Sequence, residues 1–141
     1  MSCDKKYITR FIKGESETVA AGAEEIVFNE KARGLISQLN VYANAHDTTG
    51  EHDSIIIIEF DGIELFRCSF YELQFYHASD SEAAIQPAVS MMNWSGTTET
   101  YGIMFAFPGW VEERIQIRCL NADPTNTIKI YSSIAVREYR E

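Results

Sequence analysis

The fold is decided by Asp53-Ser54-Ile55-Ile56-Ile57-Ile58-Glu59-Phe60-Asp61-Gly62-Ile63-Glu64-Leu65-Phe66-Arg67-Cys68. Its first half is a continuous β-branched run, the pattern of a strand covered on both faces. Its second half is a further apolar strand. Between them stands Asp61-Gly62. A two-residue type I′ turn needs positive φ at both central positions, and Asp followed by Gly meets that need. The stretch reads as an antiparallel hairpin.

Upstream, Arg33 to Ala43 alternates with period two. Leu35, Leu39 and Val41 share one face, with Ser37 interrupting, and Gln38, Asn40 and Tyr42 share the other. Tyr7 to Lys13, Thr18 to Ala20 and Glu24 to Phe28 give shorter strands separated by Gly14 and Gly22. Downstream, Phe70 to Tyr76, Ala88 to Met92 and Tyr101 to Phe107 are further strand candidates, the last stopped by Pro108-Gly109. Arg114 to Leu120 alternates cleanly, with Ile115, Ile117 and Cys119 inward. After the turn Asn121-Ala122-Asp123-Pro124-Thr125-Asn126, a strand from Thr127 to Tyr139 puts Ile128, Ile130, Ser132, Ile134 and Val136 on one face. Helix-period patterns are nearly absent. The expectation is an all-β, single-domain antiparallel β-sandwich over residues 1–141, jelly-roll-like, with residues 1–13 as a candidate N-terminal arm carrying Tyr7, Ile8, Phe11 and Ile12. An immunoglobulin-type sandwich is disfavoured, because paired cross-core cysteines with a tryptophan between them are missing.

Composition narrows the function. The 141 residues carry 12 Lys and Arg against 21 Asp and Glu, a net charge of −9. That balance disfavours nucleic acid and anionic membranes as partners. The stretch Cys68 to Glu113 has no Lys or Arg but holds Glu72, Asp80, Glu82, Glu99, Glu112 and Glu113, six of the nine net negative charges. It is a solvated acidic surface or a face for a basic partner. No secretory signal follows the basic pair Lys5-Lys6, and apolar runs such as Ile55 to Ile58 are far too short to span a membrane. Cys3, Cys68 and Cys119 are odd in number and widely spaced, which suits free thiols and synthesis in the cytoplasm.

Two clusters are candidate sites. The loop Asn44 to Asp53 holds His46, His52, Asp47, Glu51 and Asp53. Its carboxylates suit calcium and its imidazoles a transition metal, although the spacing fits no EF-hand loop and no His-Glu-x-x-His helix, and a polar connector explains the same residues. The expectation is no cofactor, with calcium on Asp47, Glu51 and Asp53 as the alternative. The second cluster is aromatic: Tyr76, Trp94, Tyr101 and Trp110, with Phe75 and His77 beside them. In or beside loops, such rings form platforms for sugars or anchors for a protein interface, or they plug the ends of the sandwich. No nucleophile elbow, phosphate loop or paired catalytic carboxylate is present, so the protein is expected not to be an enzyme.

The combination of Gly34-Leu35-Ile36 opening a long strand, the loop, Ile56-Ile57-Ile58-Glu59-Phe60-Asp61-Gly62, and the Asn121 turn with its long closing strand resembles small viral and phage structural jelly-roll proteins. The similar parts run from Arg33 to Phe66 and from Arg114 to Tyr139. The resemblance implies a homo-oligomeric component of a larger particle, a capsid decoration, fibre-base or tail accessory protein, with a trimer favoured. No functional residue carries over from it. The alternative expectation is a carbohydrate-binding β-sandwich module using Trp94, Trp110, Tyr101 and Tyr76, with or without calcium.

Overall fold

The computed structural model describes residues 6–45, 53–70, 72, 89–95, 100–105 and 109–140. Among them are eleven strands: β1 (Lys6–Lys13), β2 (Glu17–Val19), β3 (Glu24–Lys31), β4 (Gly34–Ala45), β5 (Ile55–Phe60), β6 (Ile63–Ser69), β7 (Val89–Ser95), β8 (Thr100–Phe105), β9 (Gly109–Val111), β10 (Arg114–Leu120) and β11 (Ile128–Arg140). The larger sheet has the order β1-β11-β4-β8-β7, with β2 also pairing with β11 and β9 with β4. The smaller sheet has the order β3-β10-β5-β6. Every pairing is antiparallel.

The pairing is nested. β5 pairs with β6, β4 with β8 and β9, β3 with β10, and β2 with β11. The chain is thus one long hairpin, folded at Asp61-Gly62 and rolled so that successive pairs alternate between sheets. That is a jelly roll. The hairpin tip has the expected geometry: Phe60 lies opposite Ile63, with φ of 53° at Asp61 and 81° at Gly62.

The core lies between the sheets. β4 supplies Ile36, Leu39, Val41 and Ala43, and β11 supplies Ile128, Ile130, Ile134 and Val136. Facing them are Val27 and Phe28 of β3, Ile56, Ile58 and Phe60 of β5, and Ile115, Ile117 and Cys119 of β10. Burying each large aliphatic side chain contributes about 1.5–3 kcal/mol. Ile57 points the other way, outside this core, and is still fully buried. The uninterrupted Ile55–Ile58 run is therefore needed on both faces.

Two expectations change in detail. Leu35 is not on the core face. Gln38 pairs with Ala135 and Ile36 with Val136, which leaves Ser37 as the extra residue of a β-bulge. The bulge reverses the phase of β4, so Ile36 points inward ahead of it and Leu39 after it. The second change concerns the strand expected over Phe70 to Tyr76. Phe70 and Glu72, its two described residues, are helical. The Ser69 hydroxyl accepts the Glu72 amide at 3.0 Å, and a Glu72 carboxylate oxygen accepts the Ser69 amide at 3.3 Å. This reciprocal capping box is spelled by Ser-x-x-Glu and stops β6 at Ser69.

An aromatic hollow on the outer face of the larger sheet

The strands of the larger sheet that bury Ile130, Ile134, Leu39 and Val41 inward must turn their alternate residues outward. Those outward residues are Tyr131 and Ser133 on β11, and Asn40 and Tyr42 on β4. The register sets Tyr131 directly opposite Tyr42 and Ser133 opposite Asn40. On the far side of Tyr42 the partner is Gly102 of β8, which has no side chain to fill the place beside the ring. Phe11 and Lys13 of β1 flank β11 on the other side. Gly14, just past β1, is held by its amide donating to the Ser132 carbonyl at 2.9 Å. The result is a hollow of about 570 Å³ with Phe11, Tyr42 and Tyr131 in its walls.

The aromatic rings are open to solvent: Phe11 is 79% exposed, Tyr131 41% and Tyr42 38%. The Tyr42 and Tyr131 centroids lie 6.1 Å apart with their planes tilted by 54°, and Lys129 Nζ sits 5.6 Å from the Tyr131 centroid. Both are favourable geometries for ring quadrupoles. Next to the rings runs a polar row. Gln38 Nε2 donates to Asn40 Oδ1 at 3.3 Å, and Asn40 Nδ2 donates to Ser133 Oγ at 3.5 Å. Flat apolar rings, amide and hydroxyl groups, and a lysine thus share one open concavity.

The aromatics singled out from sequence fall elsewhere. Trp94 lies in β7 and Tyr101 in β8, and the register pairs them directly. Trp110 lies in β9 opposite Leu35, whereas Tyr101 is opposite Ala43. Those two positions on β4 are eight residues apart, roughly 25 Å along a strand. Trp94 and Tyr101 therefore share a place, and Trp110 does not join them. The Trp110 ring is 49% exposed, with Nε1 donating to Glu112 Oε1 at 2.7 Å. Glu112 also pairs with Arg33 at 3.2 Å. Tyr76 is outside the described residues.

Of the loop carboxylates, Asp53 is described and exposed, while Asp47 and Glu51 lie outside the described residues. Among the described residues no three His, Cys, Asp or Glu side chains gather as a metal site. Cys68 and Cys119 are free and buried, and Cys3 lies outside the described residues.

Sequence pattern alone marks Tyr42 and Tyr131 as outward residues. What it does not show is that β4 and β11 are neighbours, which is the fact that turns two scattered tyrosines into one site. The chain matches no protein-family model and no curated protein.

Proposed function

We propose that the protein is a non-enzymatic structural component that assembles as a homo-oligomer, with a trimer favoured, on a larger particle. The resemblance to viral and phage jelly-roll proteins supports a virion or phage particle as that assembly, in the role of capsid decoration, fibre-base or tail accessory protein.

The observation that carries the reading is the difference between two sheet edges. At β6, the end of the smaller sheet among the described strands, Glu59 pairs with Glu64 and Ile58 with Phe66, so Leu65 is bulged. An Arg67–Glu64 ion pair at 2.8 Å adds charge there. Bulges and charges are devices that discourage edge-to-edge pairing. β1, the edge of the larger sheet among the described strands, also carries charge, with Lys6, Arg10 and Lys13 and an Arg10–Glu138 ion pair at 3.1 Å, but it has no bulge: all eight residues pair in continuous register from Lys6–Arg140 to Lys13–Ser133. It also carries Ile8 at 39% exposure and Phe11 at 79%. The described part of the expected N-terminal arm is thus a strand of its own sheet, and no described strand pairs with its outer side, which is where a neighbouring copy would add. Such a contact gives a ring when it runs head to tail, from β1 to a different surface of the next copy, and its rotation closes.

Light scattering on the full chain at tens of micromolar tests this reading. The expected result is a trimer that the double variant Ile8→Asp/Phe11→Asp converts to monomers with an unchanged β circular-dichroism signal. A strictly monomeric wild-type protein overturns it.

A further inference from the structure

We propose that the hollow between Phe11, Tyr42 and Tyr131 is a binding site for an acidic saccharide. This inference shares Phe11 with the assembly reading but rests on the Tyr42–Tyr131 pair, a different set of aromatics from the tryptophans of the sequence.

The argument begins with charge. The protein carries a net −9, but the outer face of the larger sheet departs from that average. The described outward positions of β1, β11, β4 and β8 include three cations, Lys13, Lys129 and Arg137, and no carboxylate. Arg137 is opposite Leu35 and Lys129 opposite Asn44, so the cations bracket the tyrosine pair along β11. None of the three makes an ion pair among the described residues. A cationic face on an anionic protein favours a negatively charged ligand and draws it there over about a Debye length.

The shape and chemistry of the hollow then restrict which anion fits. Its volume, about 570 Å³, lies in the range of small-ligand sites, roughly 300–1,000 Å³. A simple inorganic anion has no use for three exposed aromatic rings. A pyranose presents apolar C–H faces that stack on flat rings and hydroxyl edges that require hydrogen-bond partners. Tyr42 and Tyr131 offer the first, and the Gln38–Asn40–Ser133 row lies alongside for the second. Ser133 Oγ accepts from Asn40 and keeps its own hydrogen to donate. Asn40 Nδ2 keeps a second hydrogen as well. A carboxylate or sulfate on the sugar supplies the charge that Lys13 and Lys129 lack. Gly102 matters because any side chain there would occupy the place beside Tyr42.

The experiment uses the full chain on a glycan array holding sialylated, uronic acid-containing and sulfated oligosaccharides beside their neutral parents. Titration of the strongest binder into wild type, Tyr42→Ala/Tyr131→Ala and Lys13→Glu follows. The expected result is retention of acidic glycans only. Affinity should fall at least about tenfold in each variant, the size of one lost stacking or ionic contact, and should weaken as salt rises. Thermal melting of the variants shows that the fold is kept. The proposal is overturned if no acidic glycan is retained, if neutral parents bind equally well, or if the folded variants bind like wild type. It is equally overturned if the tyrosine variant changes oligomeric mass, which would make the hollow a protein interface. Light scattering on the same samples separates this outcome from a failure of the β1 contact, because Ile8 and Phe11 are intact in both variants.

Discussion

Asp61 and Arg114 are joined twice: the Asp61 amide donates to the Arg114 carbonyl at 2.9 Å, and the Arg114 amide donates to Asp61 Oδ1 at 3.0 Å. The same carboxylate accepts the Glu113 amide at 2.8 Å and the Glu112 amide at 2.9 Å. One turn residue therefore shapes the β5–β6 hairpin and fastens the β9–β10 turn beside it. Desolvation, the largest single influence, raises the Asp61 pKa, and the three amide donors together outweigh it, so the carboxyl sits below its ordinary value of 3.8.

A carboxylate with a lowered folded-state pKa stabilises the protein above its unfolded-state pKa, and that stability is lost as pH falls through the folded-state value. Asp61→Asn is expected to lower the melting temperature by a few degrees at about pH 7. The gap from wild type should narrow as the pH falls from about 7 to about 2 and Asp61 takes up a proton, since the charge that the amides favour is then being lost. Melting curves at the two pH values check this. An equal drop at both would mean that the charge on Asp61 contributes nothing.

Two glycines separate steric from conformational demand. At Gly34, φ is 149° and an added Cβ would lie 2.3 Å from the Arg137 carbonyl oxygen. At Gly62, φ is 81° and nothing lies within 4 Å of the added atom. Gly62→Ala is expected to cost only the left-handed conformation, about 1–2 kcal/mol. Gly34→Ala combines a forbidden φ with a backbone clash and should cost more, at least about 3 kcal/mol. Denaturant melts of both variants measure the difference. Equal costs would show that β4 and β11 can part at Gly34 without penalty.

The legible parts of the fold were those where residue type and local geometry determine each other. Asp61-Gly62 can take positive φ at two successive positions, and it does. Arg114 to Leu120 alternates and is paired on both sides, so its inward residues are the expected ones. Prediction from alternation fails at Ser37, because a bulge opposite Ala135 and Val136 of the partner strand breaks the count. It fails again after Ser69, where the apolar run through Phe70 hid a capping box that was present in the letters. The hollow was illegible for a third reason. Phe11, Tyr42, Gly102 and Tyr131 come from four strands, and only the strand order brings them together.

The two described cysteines provide a test of burial. Burial first, then the Glu25 charge, pushes the Cys119 thiol up to about 12. Burial first, then Glu72, pushes Cys68 up to about 11. With folded-state values above the ordinary 9.0, both thiols stay protonated in the folded protein while the unfolded chain ionises. Their contribution is complete below pH 9.0 and is lost as pH rises towards about 12. Wild type should accordingly lose more stability than Cys119→Ala over that range. Iodoacetamide should modify Cys68 and Cys119 only once the protein unfolds, as mass spectrometry across a urea series would show. Rapid labelling of either residue in the native protein would place it at an opening of the sandwich.

Asn121 is fully buried and joins the two ends of the jelly roll. Its Nδ2 donates to the Asn126 carbonyl at 2.8 Å, Val19 at 3.2 Å and Ala20 at 3.3 Å, while its Oδ1 accepts the Asp123 amide at 2.9 Å. The amide thus ties the end of β2 to the β10–β11 turn. Asn121→Ala leaves these backbone groups buried without their partner and is expected to cost about 2–4 kcal/mol. Asn121→Asp keeps the size but turns an oxygen towards three carbonyl oxygens. At neutral pH it should be worse than alanine, because a buried carboxylate there keeps the Asp123 amide on one oxygen but turns the other, with no hydrogen to donate, towards three carbonyl oxygens. Lowering the pH protonates that carboxyl and restores one donor, so this variant should gain stability relative to alanine as the solution is acidified. Urea melts of both variants at about pH 7 and about pH 4 distinguish the outcomes. An aspartate variant as stable as wild type at neutral pH would show that the amide hydrogens, rather than the shape of the side chain, are dispensable at this junction.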